Sequence, residues 1–215
     1  MIEGSLISRL TSHFSRVTEP PLPTYDEIGN GSTRVTGEVD KGHGRRENIL
    51  VVDSDEQLVA SLDELSKDLR YMAERSKNYR DPRDPYHTLG VIFTYVKKKI
   101  PNNKDYSRAM AQKFKDKNIF LSQFFGHGVC RHQVLLAAYY LDALKQSKFI
   151  TGRYEIVKAM IMHKGKPRRH TWLEYHMDDG RIALIDFSRD EFFFKGDERF
   201  AKVRHLYEPV GEYVS

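Results

Sequence analysis

Residues 126–133 read GHGVCRHQ, and the apolar run VLLAAYYL follows at 134–141. The two glycines allow a backbone turn that other residues resist, and the run after them has the length and the leucine and alanine content of a buried helix. Cys130 therefore falls at the start of a predicted helix. Unpaired N–H groups and the positive end of the helix dipole favour the thiolate there, which is the form of cysteine that attacks carbonyl carbons.

Cys130 is the single cysteine in 215 residues, which excludes a disulfide within the chain. Two interpretations stay open for it: a reactive nucleophile or a small buried hydrophobic residue. Its position at a helix start does not decide between them.

The composition is that of a globular protein, because 40% hydrophobic residues can supply a core. No apolar run is long enough to cross a bilayer, and the first residues include Glu3 and lack the pattern of a secretory signal. We therefore expect a cytoplasmic, reducing environment. The net charge of +5 allows an anionic partner, but the 30 acidic residues among 35 basic ones also fit an ordinary basic surface.

The chain divides near residue 48. Apolar residues at helical spacing predict an amphipathic helix over residues 2–17, which either docks onto the main domain or lies on a membrane surface. Residues 19–46 are rich in Pro, Gly, Ser, Thr and charge, which is typical of a linker. We predict an N-terminal extension or lid over residues 1–48 and the main domain over residues 49–215.

The main domain is predicted to begin with helices and to end with strands. A short strand at 49–52 precedes Ser54 and Gln57, which have the spacing of a capping box. Apolar periodicity then predicts helices over about 55–77, from Asp84-Pro85 to 99, and over 105–115. Past the Cys130 helix the period changes to two, which predicts an antiparallel meander over about 154–187 and hence an α+β fold.

The turn at Asp178-Asp179-Gly180 decides which residues meet. A two-residue turn at Asp179-Gly180 would place His170 and Asp186 on opposite faces of the sheet. A three-residue loop with Gly180 at positive φ places Trp172 opposite Asp186 and makes His170 its diagonal neighbour, about 7 to 8 Å away between backbones. A helix packed on that face with Cys130 at its start would add a nucleophile.

These elements resemble the transglutaminase-like, papain-like superfamily, whose pattern is a Gly-x-Cys turn at a helix start, a His-x-Trp strand and an apolar strand ending in Asp. Here residues 128–130 read GVC, 170–172 read HTW and 184–186 read LID. The resemblance covers about residues 120–190. It implies a helical half with the nucleophile at a helix start, packed on an antiparallel meander that carries the His and the Asp.

The resemblance also implies acyl transfer at amide bonds of a protein or peptide, with Cys130, His170 and Asp186 as a catalytic triad. We expect no cofactor and no metal. The superfamily includes cross-linking enzymes, deamidases, cysteine proteases and non-catalytic members, so the fold does not determine the substrate. Some bacterial secreted effectors carry such domains, which leaves delivery into a host cell open.

Two further residues are site candidates. Papain-like enzymes place a Gln a comparable distance before the nucleophile, so Gln123 is the candidate oxyanion donor beside the N–H of Cys130, with an ordinary surface role as the alternative. Trp172 is the candidate substrate contact, with a core position as the alternative.

The remaining motifs point away from metal and phosphate chemistry. His132 with His127 and His170 invites a zinc interpretation, but zinc sites usually carry Cys/His pairs and only one cysteine exists. No calcium-binding loop or phosphate-binding glycine loop is present in the sequence.

A basic cluster, Lys164, Lys166, Arg168 and Arg169, leads directly into His170. It either recruits an acidic substrate or is a solvated turn. The competing hypothesis is a non-catalytic binding module that uses this surface for an anionic partner. We expect a protein or peptide substrate and no nucleic acid partner.

Overall fold

The computed structural model describes residues 48–51, 55–75, 85–103, 105, 109 and 118–208. These residues form an α+β arrangement in which helices precede a four-stranded antiparallel sheet. The predicted amphipathic helix at 2–17 and the linker at 19–46 lie outside the described residues. So does most of the helix predicted over 105–115, of which Asp105 and Ala109 are helical.

Helix α1, Glu56–Arg75, packs into the core through a leucine stripe that the sequence predicted. Its buried residues are Leu58, Leu62, Leu65 and Leu69, whereas Met72, which continues the same helical spacing, is 43% exposed. The first turn is capped by Asp55, whose Oδ1 accepts the N–H of Leu58 at 3.3 Å. The predicted cap residue Ser54 lies outside the described residues.

Helix α2, Pro85–Lys99, begins at the predicted proline, where the missing N–H of proline costs no hydrogen bond. Leu89, Ile92 and Val96 are buried on its inner side. Three lysines occupy its last turn, where they favourably complement the helix dipole. The backbone then continues through Ile100 and Pro101 toward the glycine-rich turn before Cys130.

A small parallel sheet joins two distant segments. Strand β1, Asn48–Leu50, pairs with β2, Asn118–Phe120. The sequence predicted a strand near β1 but not β2, because three residues are too short to show a period. The second side-chain oxygen of Asp55 accepts the N–H of Ser122 at 3.1 Å, which ties the start of α1 to the segment after β2.

Helix α3, Cys130–Gln146, is the centre of the core. Its residues from Val134 to Leu141 are all buried, as the apolar run predicted. A helix apolar on every side has to be covered on every side, and α1, α2 and the sheet contribute to the same core. Within the described ranges, no helix combines the length and apolarity needed to span a membrane.

The sheet is a meander with strand order β3-β4-β5-β6. Its strands are β3 (Arg153–His163), β4 (Lys166–His176), β5 (Ile182–Asp186) and β6 (Glu191–Phe194). Leu173 pairs with Ile185 and His176 with Ile182, the register that a three-residue loop requires. Gly180 has φ +86°, so the prediction of a left-handed glycine in this loop is confirmed.

The two faces of the sheet are covered by different elements. The inner face, which includes Leu173, Tyr175, Ala183 and Ile185, shares the main core with α3. The outer face, which includes His170, Trp172, Glu174, Leu184 and Asp186, is covered by the C-terminal segment, with α4 (Glu198–Val203) and a 3₁₀ turn (Arg204–Leu206) before Tyr207. The apolar residues Phe192 to Phe194 form the closing strand β6, whereas residues 203–206 are helical and cover the outer face.

Replacing Gly128 with alanine is expected to lower the free energy of unfolding by about 1 to 3 kcal/mol, because the core beside it has no room. An added Cβ would lie 2.3 Å from Cγ2 of Ile100, which is fully buried. Urea unfolding measures the loss. Gly196→Ala is the control, because nothing lies within 4 Å of a Cβ at that position. Equal unfolding midpoints for the two variants would contradict the expected crowding.

Candidate active site

His170 and Asp186 form a buried pair on neighbouring strands of the outer face. His170 Nε2 lies 2.5 Å from Asp186 Oδ2, and the two side chains are 9% and 0% exposed. They meet because the hairpin register places His170 diagonally from Asp186 on one side of the sheet. The contact between the two residues therefore follows from the loop sequence.

Donors hold both oxygens of the Asp186 carboxylate. Oδ1 accepts hydrogen bonds from the N–H and hydroxyl of Ser188 at 3.1 and 3.0 Å and from the N–H of Arg189 at 3.2 Å. Oδ2 accepts the hydroxyl of Tyr207 at 3.0 Å besides the imidazole. Burial alone would raise the pKa of Asp186, but its hydrogen bonds, with that of His170 the strongest, keep the pKa below 3.8. The group is therefore an anion at neutral pH.

The side chain of Cys130 lies beside the same imidazole. Cys130 is the half-buried first residue of α3, and its side chain is close enough to His170 to raise the pKa of that ring. Because Nε2 faces Asp186, Nδ1 is the ring nitrogen that remains for Cys130. Burial acts to lower the pKa of His170, but the hydrogen bonds with Asp186 and Cys130 outweigh it and raise the pKa to about 9. The ring is therefore protonated at neutral pH.

Cys130, the first residue of α3, lies near His170, which belongs to the outer face. The apolar body of the helix packs on the inner face, so the expectation of a helix lying on the face of His170 is wrong. The inner face presents the apolar side chains of Leu173, Ala183 and Ile185, which pack against the apolar helix. The outer face carries charged groups instead. Cys130 is at the start of the helix, and His170 belongs to the part of β4 that extends past its pairing with β5.

The turn before Cys130 is held by hydrogen bonds to the segment after α2. The N–H of Gly126 donates to the carbonyl of Lys99 at 2.7 Å, and the N–H of Gly128 donates to the carbonyl of Pro101 at 2.9 Å. Gly126 has φ +84°, a conformation in which glycine avoids strain. The backbone that carries the thiol is therefore built into the core instead of lying on a free loop.

His132 is a structural part of this turn that the sequence did not identify. It is fully buried, its Nδ1 accepts the N–H of Val129 at 3.1 Å, and its ring stacks on Phe124 with 3.7 Å between centroids. Burial, with the charge of Arg131, lowers its pKa well below 6.5, so the ring is neutral. Val129 and His132 have the spacing of a capping box. Capping boxes are identified in a sequence by Glu or Gln at the position of His132, so the pattern did not reveal this one.

Gln123 lies in the 3₁₀ helix Leu121–Phe124, and its side chain is exposed. Among the residues that the structure describes, no hydrogen bond joins it to Cys130 or His170, so its role as an oxyanion donor stays a prediction. The N–H of Cys130 belongs to the first turn of α3, whose amides have no acceptor within the helix. That N–H stays available as a donor.

Trp172 lies beneath the imidazole. It is 2% exposed, its ring centroid is 6.0 Å from that of His170, and its Nε1 donates to Oε1 of Glu174 at 3.2 Å. Of the two alternatives given for Trp172, the structure shows the core position. A contact with substrate stays a prediction.

Replacing Tyr207 with phenylalanine is expected to lower the free energy of unfolding by about 1 kcal/mol at neutral pH. The hydroxyl is hydrogen-bonded with the carboxylates of both Asp186 and Glu191. It stabilises the ionised form of Asp186, so the loss should shrink as the pH falls below 3.8 and that carboxylate becomes protonated in both states. Urea unfolding across acidic pH measures it. Tyr175→Phe is the matched control, because that hydroxyl donates to the carbonyl of Thr151, which does not titrate. The same pH dependence in both variants would contradict the role of Tyr207.

The part of the chain described here contains no group of three or more His, Cys, Asp or Glu residues that could hold a metal ion.

Comparison with protein-family models finds no match, and comparison with curated proteins finds none. The site brings together a thiol, a protonated imidazole and a carboxylate, which are groups that can support nucleophilic attack and proton transfer.

Proposed function

We propose that the protein is a transglutaminase-like acyl-transfer enzyme that acts on amide groups of a protein or peptide through Cys130, His170 and Asp186. The observation that carries the proposal is the buried pair of His170 with the Asp186 carboxylate, next to a cysteine whose side chain raises the pKa of the same imidazole. A cysteine beside a cationic imidazole is an activated nucleophile. The order of elements, with the cysteine helix before the His and Asp strands, agrees with the superfamily resemblance.

In the first half of the reaction, the sulfur of Cys130 attacks the amide carbonyl carbon and forms a C–S bond. The carbonyl oxygen becomes an oxyanion, which the N–H of Cys130 can stabilise. Nδ1 of His170 then gives its proton to the amide nitrogen, the C–N bond breaks, and ammonia or an amine leaves. Asp186 keeps the ring oriented and stabilises its positive charge.

In the second half, water or an amine attacks the thioester carbonyl while neutral His170 takes a proton from the attacking group. The C–S bond breaks, and the thiolate and imidazolium pair is restored. Water attacking after loss of ammonia gives deamidation, water attacking after cleavage of a peptide bond gives proteolysis, and an amine gives cross-linking. All three outcomes use the same residues.

The substrate-independent test is alkylation of Cys130 by iodoacetamide, followed by intact mass. The same chain unfolded in urea is the control, because it carries the same single cysteine without its partners. We expect the folded protein to react faster than the unfolded chain at mildly acidic pH, where an unpaired thiol is protonated. A folded protein that reacts no faster would contradict the proposal and favour a non-catalytic module.

The product test uses casein with a fluorescent primary amine. Released ammonia, new N-termini and incorporated amine distinguish deamidation, proteolysis and cross-linking. Cys130→Ser is the matched control, because it keeps the shape of the side chain and replaces the sulfur. We expect at least one product with the wild type and none with this variant.

A further inference from the structure

The hairpin that joins β3 to β4 projects beyond the rest of the sheet. The two strands pair as far as His163 with Lys166, whereas β5 pairs with β4 only from Leu173 onward. All residues from 162 to 169 are exposed. We call residues 162–169 the cationic hairpin, because Lys164, Lys166, Arg168 and Arg169 lie within it.

Two of these cations share a face with the active-site histidine. Successive side chains of a strand alternate, so Lys166, Arg168 and His170 point to the same side of β4. At about 3.3 Å per residue, Arg168 lies about 7 Å and Lys166 about 13 Å along the strand from His170. Burial begins at His170, so the row runs outward from the reactive centre.

The charges in this row are not neutralised within the described part of the chain. There, no carboxylate forms an ion pair with Lys164, Lys166 or Arg168, and the residues opposite the row on β3 are His163, Ile161 and Ala159.

Basic residues elsewhere in the sheet and its loops have acidic partners: Arg153 with Glu155, Arg181 with Asp179, and Lys195 with Glu174. Lys164, Lys166 and Arg168 therefore present positive charge that has no acidic partner among the residues that the structure describes.

We propose that the cationic hairpin selects substrates that carry acidic residues beside the reacting amide. The inference rests on the proposed function, since it names the substrate class of the same site. An extended peptide advances by the same distance per residue as β4, so acidic side chains two and four residues from the reacting group would meet Arg168 and Lys166. A peptide that reacts at Cys130 and extends along β4 would run beside this row.

The test measures labelling of Cys130 by two bromoacetyl peptides of equal length. One has aspartate at the second and fourth positions after the reactive group, and the other has asparagine there. We expect the wild type to react about tenfold faster with the aspartate peptide at low salt, with the preference falling at high salt. The double variant Lys166→Gln, Arg168→Gln should lose the preference and keep its rate with iodoacetamide.

The control is the double variant Lys67→Gln, Lys148→Gln, which removes the same charge from α1 and from the loop beyond the far end of α3 and should keep the preference. The double variant Lys166→Glu, Arg168→Glu should reverse the preference. It should react faster with a third peptide that carries lysine at the same two positions than with the aspartate peptide.

Equal rates with both peptides in the wild type would overturn the hairpin proposal even if iodoacetamide shows an activated cysteine. If iodoacetamide reacts slowly but the preference for the aspartate peptide still depends on the hairpin, the hairpin recruits acidic peptides. The proposed catalytic triad would then be contradicted.

Discussion

Replacing His170 with alanine is expected to reduce acyl transfer by about two to four orders of magnitude, because the variant loses its general acid and base. It should also slow alkylation of Cys130 at neutral pH by about tenfold, since a cysteine without a basic partner is mostly protonated there. Alkylation followed by intact mass across the pH range measures the second effect. The wild type should react faster than the variant at neutral pH, and the difference should shrink as the pH rises.

The matched control is His205→Ala. His205 is exposed on the 3₁₀ turn that follows α4, so its removal tests for a general effect of losing a histidine. Identical pH profiles for the wild type and His170→Ala would show that the imidazole does not activate the thiol. Loss of activity in both variants would point to damage to the C-terminal segment instead.

The contact between His170 and Asp186 could be predicted because hairpin geometry is local. Three loop residues, one of them a glycine able to adopt positive φ, set the register of β4 and β5. Once the register is known, the period of two places both side chains on one face. The buried α3 was predictable for a similar reason, since its apolar run is long and continuous.

The placement of α3 could not be predicted because it depends on contacts between distant elements. The sequence shows that the helix is apolar on all sides, and such a helix has no preferred face to indicate which side of the sheet it covers. The role of His132 was hidden for a related reason. Its buried place follows from the stacking on Phe124 and the hydrogen bond from Val129, neither of which has a distinctive sequence pattern.

The His170–Asp186 pair is expected to make the stability of the fold depend on pH in a defined direction. The pKa of His170 rises from 6.5 in the unfolded chain to about 9 in the folded protein, despite burial, because of its hydrogen bonds with Asp186 and Cys130. A raised pKa means that the folded state binds the proton more tightly. The stabilisation is therefore fully present below pH 6.5 and is lost as the pH rises to about 9.

Asp186 acts in the opposite direction, since its depressed pKa contributes stability above pH 3.8 that is lost in acid. The pair should therefore stabilise the fold most between these limits.

Urea unfolding of the wild type and of His170→Gln at several pH values isolates the histidine, because titrating groups common to both chains cancel in the difference. The stability advantage of the wild type should be about 3 kcal/mol smaller above pH 9 than at pH 6. Cys130→Ser should show a weaker pH dependence than the wild type, since the hydrogen bond with Asp186 is retained and that with the thiol is lost. Parallel curves for the wild type and His170→Gln would mean that the folded protein does not hold the extra proton. The imidazole would then be neutral at physiological pH, and the cysteine would lack the cation that the acyl-transfer mechanism requires.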